Sequence, residues 1–249
     1  MGSIGRIHSY EVGSSVDGPG IRFVLFTQGC PLRCLYCHNP DTRDPLQGKE
    51  ITVPDIMKEI EKYHSYFDNG QGGLTVSGGE PLLQYEFVTS LFKEAKNKNI
   101  HTTLDTSGFG SKHSLESILP FTDLVLLDIK SSIPELYHKV TQVDLTTTLN
   151  TIKTLENYGK NFWVRFVLVP GLTDNPKNIE GIAEICSDLQ HLKRVEILPF
   201  HKLGEYKWKE LNIPFSLEKT PIPTNDSIKN AKNIFLSVFK NNNLNIPVY

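Results

Sequence analysis

The chain has 249 residues, of which 39% are hydrophobic and 22% are charged, and its formal net charge at pH 7 is −2. This composition is typical of a soluble globular protein, and we expect a single domain spanning residues 1–249. The near-neutral charge gives no electrostatic basis for nucleic acid as a general partner. No apolar run approaches the roughly 18 residues that a transmembrane helix needs, so we expect no membrane association. The first residues lack the apolar core of a signal peptide, which predicts a cytoplasmic protein.

Strand-like runs alternate with helix-like runs along the chain, which predicts a parallel sheet with crossover helices. The predicted strands are residues 23–27, 74–76, 101–104, 124–129, 162–169 and 194–198. Apolar residues at helical spacing predict helices around 53–63, 88–95, 145–155, 179–189 and 228–238. Six β-then-α units predict an α/β fold, an incomplete (β/α)6 TIM-like barrel with a C-terminal wrap and helix over about 203–249. A full (β/α)8 barrel is the alternative, but eight strands are not found in the pattern.

Residues 29–40, GCPLRCLYCHNP, form a loop with three of the four cysteines, namely Cys30, Cys34 and Cys37. Buried packing is one alternative, since free cysteine often behaves as a small hydrophobe. Structural zinc is another, but no second cysteine pair follows, and His38 is poorly placed to complete a tetrahedron. A disulfide framework would leave an odd cysteine in the loop. Three thiolates fit an iron–sulfur cluster in which one iron lacks a protein ligand and can bind a small molecule.

A glycine pair and several polar residues occur at or near the C-terminal ends of the predicted strands, where parallel α/β barrels carry their functional groups. They are Gly78, Gly79, Glu80, Asp105, Thr106, Asp128, Lys130, Arg165 and His201. Ordinary turn or surface chemistry explains any one of them alone. Asp128 and Arg165 lie within apolar runs, however, where a buried charge is costly unless it is paired. The convergence of these residues predicts a site. Cys186 lies on a helical core stripe, and we expect it to pack rather than to bind metal.

The spacing C-x3-C-x2-C, with Tyr36 before the last cysteine, resembles the signature of the radical S-adenosylmethionine (SAM) enzymes. The flanking DGPGIR and CHNP sequences are similar to those of activating enzymes of glycyl-radical enzymes, most closely those that act on pyruvate formate-lyase. The resemblance extends over nearly the whole chain, and it implies the same incomplete barrel. It also implies reductive cleavage of SAM at a [4Fe–4S] cluster, after which the 5′-deoxyadenosyl radical takes hydrogen from a glycine of the partner.

The resemblance further implies roles for individual residues. The catalytic [4Fe–4S] cluster would be held by Cys30, Cys34 and Cys37. The implied cofactor-binding residues are Tyr36, Cys37, His38, Gly78, Gly79, Glu80, Asp128, Ile129, Lys130, Arg165 and His201. A site for a monovalent cation is implied at Asp105, Thr106 and Asp128, and Asp17 is implied to contact the partner's peptide. The family often reads D-T-N-G where this chain has Ser107 at the third position, so no role is predicted for Ser107.

The implied partners are pyruvate formate-lyase as the protein substrate and reduced flavodoxin as the electron donor, with the enzyme itself a monomer. An activating enzyme for another glycyl-radical enzyme is the first alternative. Many of those carry a cysteine-rich insertion, whereas residues 42–74 contain no cysteine, which favours the pyruvate formate-lyase type. A radical SAM enzyme acting on a small molecule is a further alternative. A non-catalytic iron–sulfur or zinc protein is the alternative from a different class.

Overall fold

A computed structural model describes residues 3–68 and 72–249. The strands of this part form one sheet in the order β3-β1-β2-β4-β5-β6-β7-β8. Their bounds are β1 Ile4–Ser14, β2 Arg22–Thr27, β3 Lys49–Thr52, β4 Gly73–Gly78, β5 His101–Thr106, β6 Leu124–Asp128, β7 Phe162–Leu168 and β8 Leu192–Pro199. The strands β2 and β4 to β8 are parallel and correspond to the six predicted strands. With β3 and β8 at its two edges, the described sheet does not close, which confirms an incomplete barrel.

Helices follow the parallel strands and cover the sheet. They are α1 Val53–Glu61, α2 His64–Asp68, α3 Tyr85–Asn97, α4 Lys112–Ile118, α5 Pro134–Thr141, α6 Leu145–Tyr158, α7 Pro176–Ser187, α8 Glu205–Glu210 and α9 Asn225–Asn241. The helix α6 is followed by Gly159, whose φ of 69° is the left-handed conformation that favours glycine. Phe92 of α3 and Ile182 of α7 pack in the same core as Val76 and Val164 of the sheet. No helix in the described ranges is both long enough and apolar enough to cross a membrane.

Two strands, β1 and β3, were not predicted. Both are antiparallel additions, β1 pairing with β2 on one side and with β3 on the other. Irregularities in pairing between Ile7 and Ser9 and between Val12 and Ser14 break the alternation of β1, so its pattern has no clean period of two. The strand β3 has only four residues, none of them buried, and therefore carries little hydrophobic signal.

The C-terminal part of the chain packs on both the barrel and the cysteine loop, residues 29–40. Phe235 and Phe239 of α9 belong to the main core. A second, smaller core contains Val169, Phe200 and Leu217, and it is packed against by Leu35 and Tyr36 of the cysteine loop. The predicted C-terminal wrap therefore forms one wall over that loop.

Candidate active site

A cavity of about 650 Å³ opens at the C-terminal ends of the parallel strands. Most of the predicted site residues line it: Asp17, Cys30, Cys34, Tyr36, Cys37, His38, Gly78, Gly79, Asp105, Thr106, Asp128, Lys130, Arg165 and His201. The topology explains this convergence, because parallel strands deliver their carboxyl ends to the same edge of a sheet. Glu80 and Ile129 are the predicted residues that do not line the cavity.

Backbone hydrogen bonds hold the cysteine loop against neighbouring segments. At its start, the Gly29 amide donates to the carbonyl of Thr42 over 2.7 Å. In its middle, the Leu35 amide donates to the carbonyl of Val140 in the last turn of α5 over 3.0 Å. All the cysteines are free thiols; Cys34 is buried, and Cys30 and Cys37 are partly buried. The loop is therefore a fixed element of the cavity wall.

The three thiols fit a cluster better than a single metal ion. Burial raises the pKa of Cys34 to about 11 and that of Cys30 to about 12, so both are neutral unless a metal's positive charge stabilises the thiolate. No group of three or more His, Cys, Asp and Glu side chains within the described ranges is arranged to hold one ion. A structural zinc site needs four close ligands, whereas a four-iron cubane binds thiolates at separate corners. Three sulfur donors around one open cavity match the second requirement.

The turn after β4 packs the glycine pair directly against the start of the cysteine loop. Gly78 has a φ of 110°, which favours glycine. A Cβ on Gly79 would lie 2.1 Å from the carbonyl oxygen of Gly29, so only glycine fits. The Glu80 amide then donates to the same carbonyl over 2.8 Å. The glycine at position 79 is therefore already required by the backbone of the cysteine loop.

Glu80 does not line the cavity, and its contact with a cofactor stays a prediction. Its side chain is 1% exposed, and its carboxylate accepts hydrogen bonds from Thr106, Ser107 and the amide of Leu82. Burial raises its pKa, partly offset by these donors. Ile129 likewise lies in the main hydrophobic core, fully buried. Both residues can act on a ligand only through the backbone that they position.

A charged cluster of Asp105, Asp128, Lys130 and Arg165 forms the floor of the cavity. Arg165 bridges the two carboxylates, donating from Nη2 to Asp105 and from Nε to Asp128 over 3.0 Å. Lys130 donates to the other oxygen of Asp128 over 2.7 Å. Burial raises the pKa of Asp105 to about 7 despite Arg165. Burial acts in the same direction on Asp128, but Arg165 and Lys130 outweigh it and leave that pKa lowered.

The three residues predicted to bind a monovalent cation all have protein partners in this structure. Asp105 and Asp128 both bind Arg165, while the Thr106 hydroxyl donates to Glu80 over 2.5 Å. Arg165 already supplies the positive charge between the carboxylates. The cation site stays a prediction.

Aromatic groups line the side of the cavity between the cysteine loop and the end of β8. The rings of His38 and His201 lie 5.1 Å apart in an edge-to-face arrangement. Burial, followed by His201 and Lys207, lowers the pKa of His38, which favours the neutral form of the ring. The hydroxyl of Tyr36 is buried and has no hydrogen-bond partner in the described part of the chain. An unpaired phenol at the wall of an open cavity is suited to a polar ligand.

The DGPGIR segment forms a turn that Arg22 anchors from below. Arg22 is fully buried and donates to the Leu74 carbonyl over 2.6 Å and to the Thr103 hydroxyl over 2.9 Å. Asp17 lies at the cavity, where it accepts a hydrogen bond from Ser14 and lies 4.0 Å from Arg165. In the DGPGIR segment, Arg22 therefore anchors the turn, and Asp17 is available to a ligand.

Several lining residues were not predicted. Ser77 donates to Asp105 over 2.6 Å, and its position directly before Gly78 at a strand end is a signal that could have indicated it. His8, Tyr10 and Glu11 reach the cavity from β1, the strand whose pattern is irregular. Lys207 reaches it from α8, far away in sequence.

Comparison with known proteins gives a consistent result. Residues 24–181, more than half of the chain, match the model of the Radical SAM superfamily. The pyruvate formate-lyase 1-activating enzyme of Escherichia coli (strain K12) is 42% identical over 94% of this chain and 96% of its own length. The pyruvate formate-lyase-activating enzyme of Clostridium pasteurianum is 46% identical over 86% of this chain and 90% of its own length. The pyruvate formate-lyase-activating enzyme of Streptococcus mutans is 44% identical over 92% of this chain and 90% of its own length.

Solved structures share the fold. A domain of the pyruvate-formate lyase-activating enzyme from Bacteroides vulgatus superposes with a TM-score of 0.58 at 23% identity, covering 72% of this chain and 99% of that chain. Streptococcus suis SuiB, bound to the precursor peptide SuiA, gives a TM-score of 0.70 at 15% identity, and the match covers 91% of this chain and 48% of that chain. The chain therefore belongs to the radical SAM superfamily and, within it, to the family of pyruvate formate-lyase-activating enzymes.

Proposed function

We propose that this protein activates pyruvate formate-lyase by generating a glycyl radical on it, with a [4Fe–4S] cluster and SAM. The observation that carries the proposal is the convergence of three cysteine thiols and the strand-end polar residues on one cavity. The names of relatives that are 42–46% identical over most of the chain support the choice of partner. The three thiols make a passive zinc protein the weaker reading, since no single-ion site occurs among the described residues.

In this proposal Cys30, Cys34 and Cys37 hold the cluster and leave one iron for SAM. When bound, the cluster and SAM supply the single electron and the carbon-radical chemistry that hydrogen abstraction requires. The protein's own contribution is to hold the reactants in a fixed position and keep water away. The hydrogen bonds that fix the cysteine loop to α5 and to residue 42 serve the first purpose.

The cavity wall offers a complementary group for each part of SAM. The Lys130 ammonium, fixed by Asp128, would pair with the SAM carboxylate. The backbone at Gly79 would accept the amino group. The rings of His38 and His201, together with the Tyr36 hydroxyl, would hold the nucleoside. Arg165 and Asp105, locked to each other, would fix the remaining wall rather than exchange protons.

Asp17 is the proposed contact for the partner's glycine-bearing peptide. Its carboxylate lies at the cavity between Ser14 and Arg165, where peptide amides could donate to it. The neighbouring Val16 is 73% exposed and also lines the cavity, so this edge is open to a macromolecule. Reduced flavodoxin as electron donor, a monomeric state and a cytoplasmic location complete the proposal. Free cysteines fit a reducing compartment.

The test uses the anaerobic, iron-reconstituted protein with SAM and dithionite. We expect methionine and 5′-deoxyadenosine to form, and a glycyl radical to become visible by electron paramagnetic resonance when pyruvate formate-lyase is added. Absence of both cleavage products would overturn the radical SAM function. Cleavage without a radical on pyruvate formate-lyase, but with one on another glycyl-radical enzyme, would overturn only the choice of partner.

A further inference from the structure

Arg43 binds the cysteine loop through both its backbone and its side chain. It follows the short helical turn Pro40–Thr42 that ends the loop. Its carbonyl accepts a hydrogen bond from the Cys30 amide over 3.2 Å, and its Nη2 donates to the Cys34 carbonyl over 2.8 Å. The guanidinium is therefore fixed beside the segment that carries the three thiols.

Trp208 of α8 covers the guanidinium from the other side. The Cζ of Arg43 lies 4.5 Å from the centre of the indole ring, and Trp208 itself is 5% exposed. The indole Nε1 donates to the Cys37 carbonyl over 3.0 Å. A planar guanidinium stacked on a buried ring is held in one orientation and covered on one face.

The side chain retains an unused donor in this position. The Nε of Arg43 is buried and has no hydrogen-bond partner in the part of the chain that the structure describes. Leaving a charged donor unpaired in a buried place is costly, so such a group calls for a ligand. The guanidinium also opposes the burial that raises the pKa of Cys37, both through its charge and as a hydrogen-bond donor, and its charge acts in the same way on Cys34.

We propose that Arg43 raises the reduction potential of the cluster by placing a permanent positive charge and a free donor beside its sulfur atoms. This inference rests on the proposed function, since it requires a cluster on Cys30, Cys34 and Cys37. An added electron makes the cluster more negative, so a nearby cation and hydrogen bonds to sulfur stabilise the reduced form. Trp208 strengthens the effect because it covers one face of the guanidinium and so reduces the screening of its charge by water. Arg43 is thus a positioning and tuning residue rather than a group that contacts SAM.

The test is a redox titration of the reconstituted protein without SAM, with the reduced cluster followed by electron paramagnetic resonance and with iron measured on each sample. At the wild-type midpoint, Arg43→Gln should lower the ratio of reduced to oxidised cluster about tenfold, which corresponds to about 59 mV for one electron. Arg33→Gln is the matched control. It removes the same charge from the same loop, but Arg33 is exposed and donates to the backbone carbonyls of Cys30 and Leu32, so its midpoint should match that of wild type.

The outcomes separate the two proposals. A wild-type protein that holds no cluster would refute the proposed function itself. A wild-type protein with its cluster, and an Arg43→Gln variant with equal iron and an equal midpoint, would overturn the role of Arg43. If Arg43→Gln loses iron, Arg43→Met is titrated instead. Methionine also removes both the charge and the donor, so its midpoint should fall as well, and an unchanged midpoint would again reject the proposal.

Discussion

The carboxylate of Glu80 accepts hydrogen bonds from both the amide and the hydroxyl of Ser107, at 2.9 and 2.6 Å. Its other oxygen accepts from Thr106 over 2.5 Å. The network continues through the Ser107 carbonyl to the hydroxyl of Thr148 in α6. These hydrogen bonds join Glu80, just after β4, to the end of β5. They also hold in place the turn at Gly78 and Gly79, which packs against the start of the cysteine loop.

Replacing Glu80 by Gln should destabilise the apo-protein by about 2–3 kcal/mol, because each carboxylate oxygen accepts from a backbone amide, of Leu82 or of Ser107, and the new NH2 would face one of these donors. Ser107→Ala should cost about 1–2 kcal/mol, since one donor to a buried carboxylate is lost. Urea denaturation of the iron-free protein measures both changes. Ser90→Ala is the control: its hydroxyl is on the surface and donates to the carbonyl of Glu86, so the change should stay within about 0.5 kcal/mol. Equal losses in all three variants would contradict the buried network.

Arg165 should be the most costly single residue of the cavity floor to remove. Arg165→Met leaves Asp105 and Asp128 without their shared cation in a buried place, and we expect a loss of about 3–5 kcal/mol. Thermal and urea unfolding provide the measurement. Adding Asp105→Asn to Arg165→Met should recover part of the loss, since the unpaired charge is then gone. A double variant as unstable as the sum of its parts would argue against coupling between the two residues.

The stability of the protein should fall with acid partly through His101. Burial and then the charge of Arg22 lower its pKa to about 4, and the neutral ring accepts a hydrogen bond from Arg22. The unfolded histidine takes up its proton near its ordinary pKa of about 6.5. The free energy of unfolding therefore decreases as the pH falls from there to about 4. His101→Asn, which keeps an acceptor but does not titrate, should show a shallower decline in the free energy of unfolding between pH 7 and 5. Parallel curves for wild type and variant would reject this explanation.

The four cysteines should divide cleanly into three ligands and one packing residue. Cys34→Ala should abolish the cluster, giving almost no bound iron after reconstitution. Cys186 is fully buried in the main core, so Cys186→Ala should keep about four irons per chain and lose only about 1 kcal/mol of stability. Iron analysis and absorbance spectra after gel filtration distinguish the two. Loss of iron from Cys186→Ala would contradict the assignment of Cys186 as a packing residue.

The parallel strands could be predicted because their sequences are short apolar runs buried on both faces, as in β6, Leu124–Asp128. The same reasoning could not predict β1, because its irregular pairing interrupts the alternation of buried and exposed side chains along the strand. It also does not reach α8, which has six residues and is held by its contacts rather than by a periodic pattern.

At the site, strand ends could be predicted but side-chain directions could not. Gly79 and Glu80 are neighbours, yet Gly79 lines the cavity and Glu80 points into a buried network. That choice depends on the partners that β5 supplies, which the local sequence does not contain. Arg43 and Trp208 were missed for the same reason, since their stacking arises only when distant segments pack together.

The hydrogen bond from the Trp208 indole to the Cys37 carbonyl joins residues 171 positions apart. A ribosome makes the polypeptide from its N-terminus, so the thiols emerge well before the ring that covers them. The cover that Trp208 gives to this side of the cysteine loop therefore forms only after translation has reached α8.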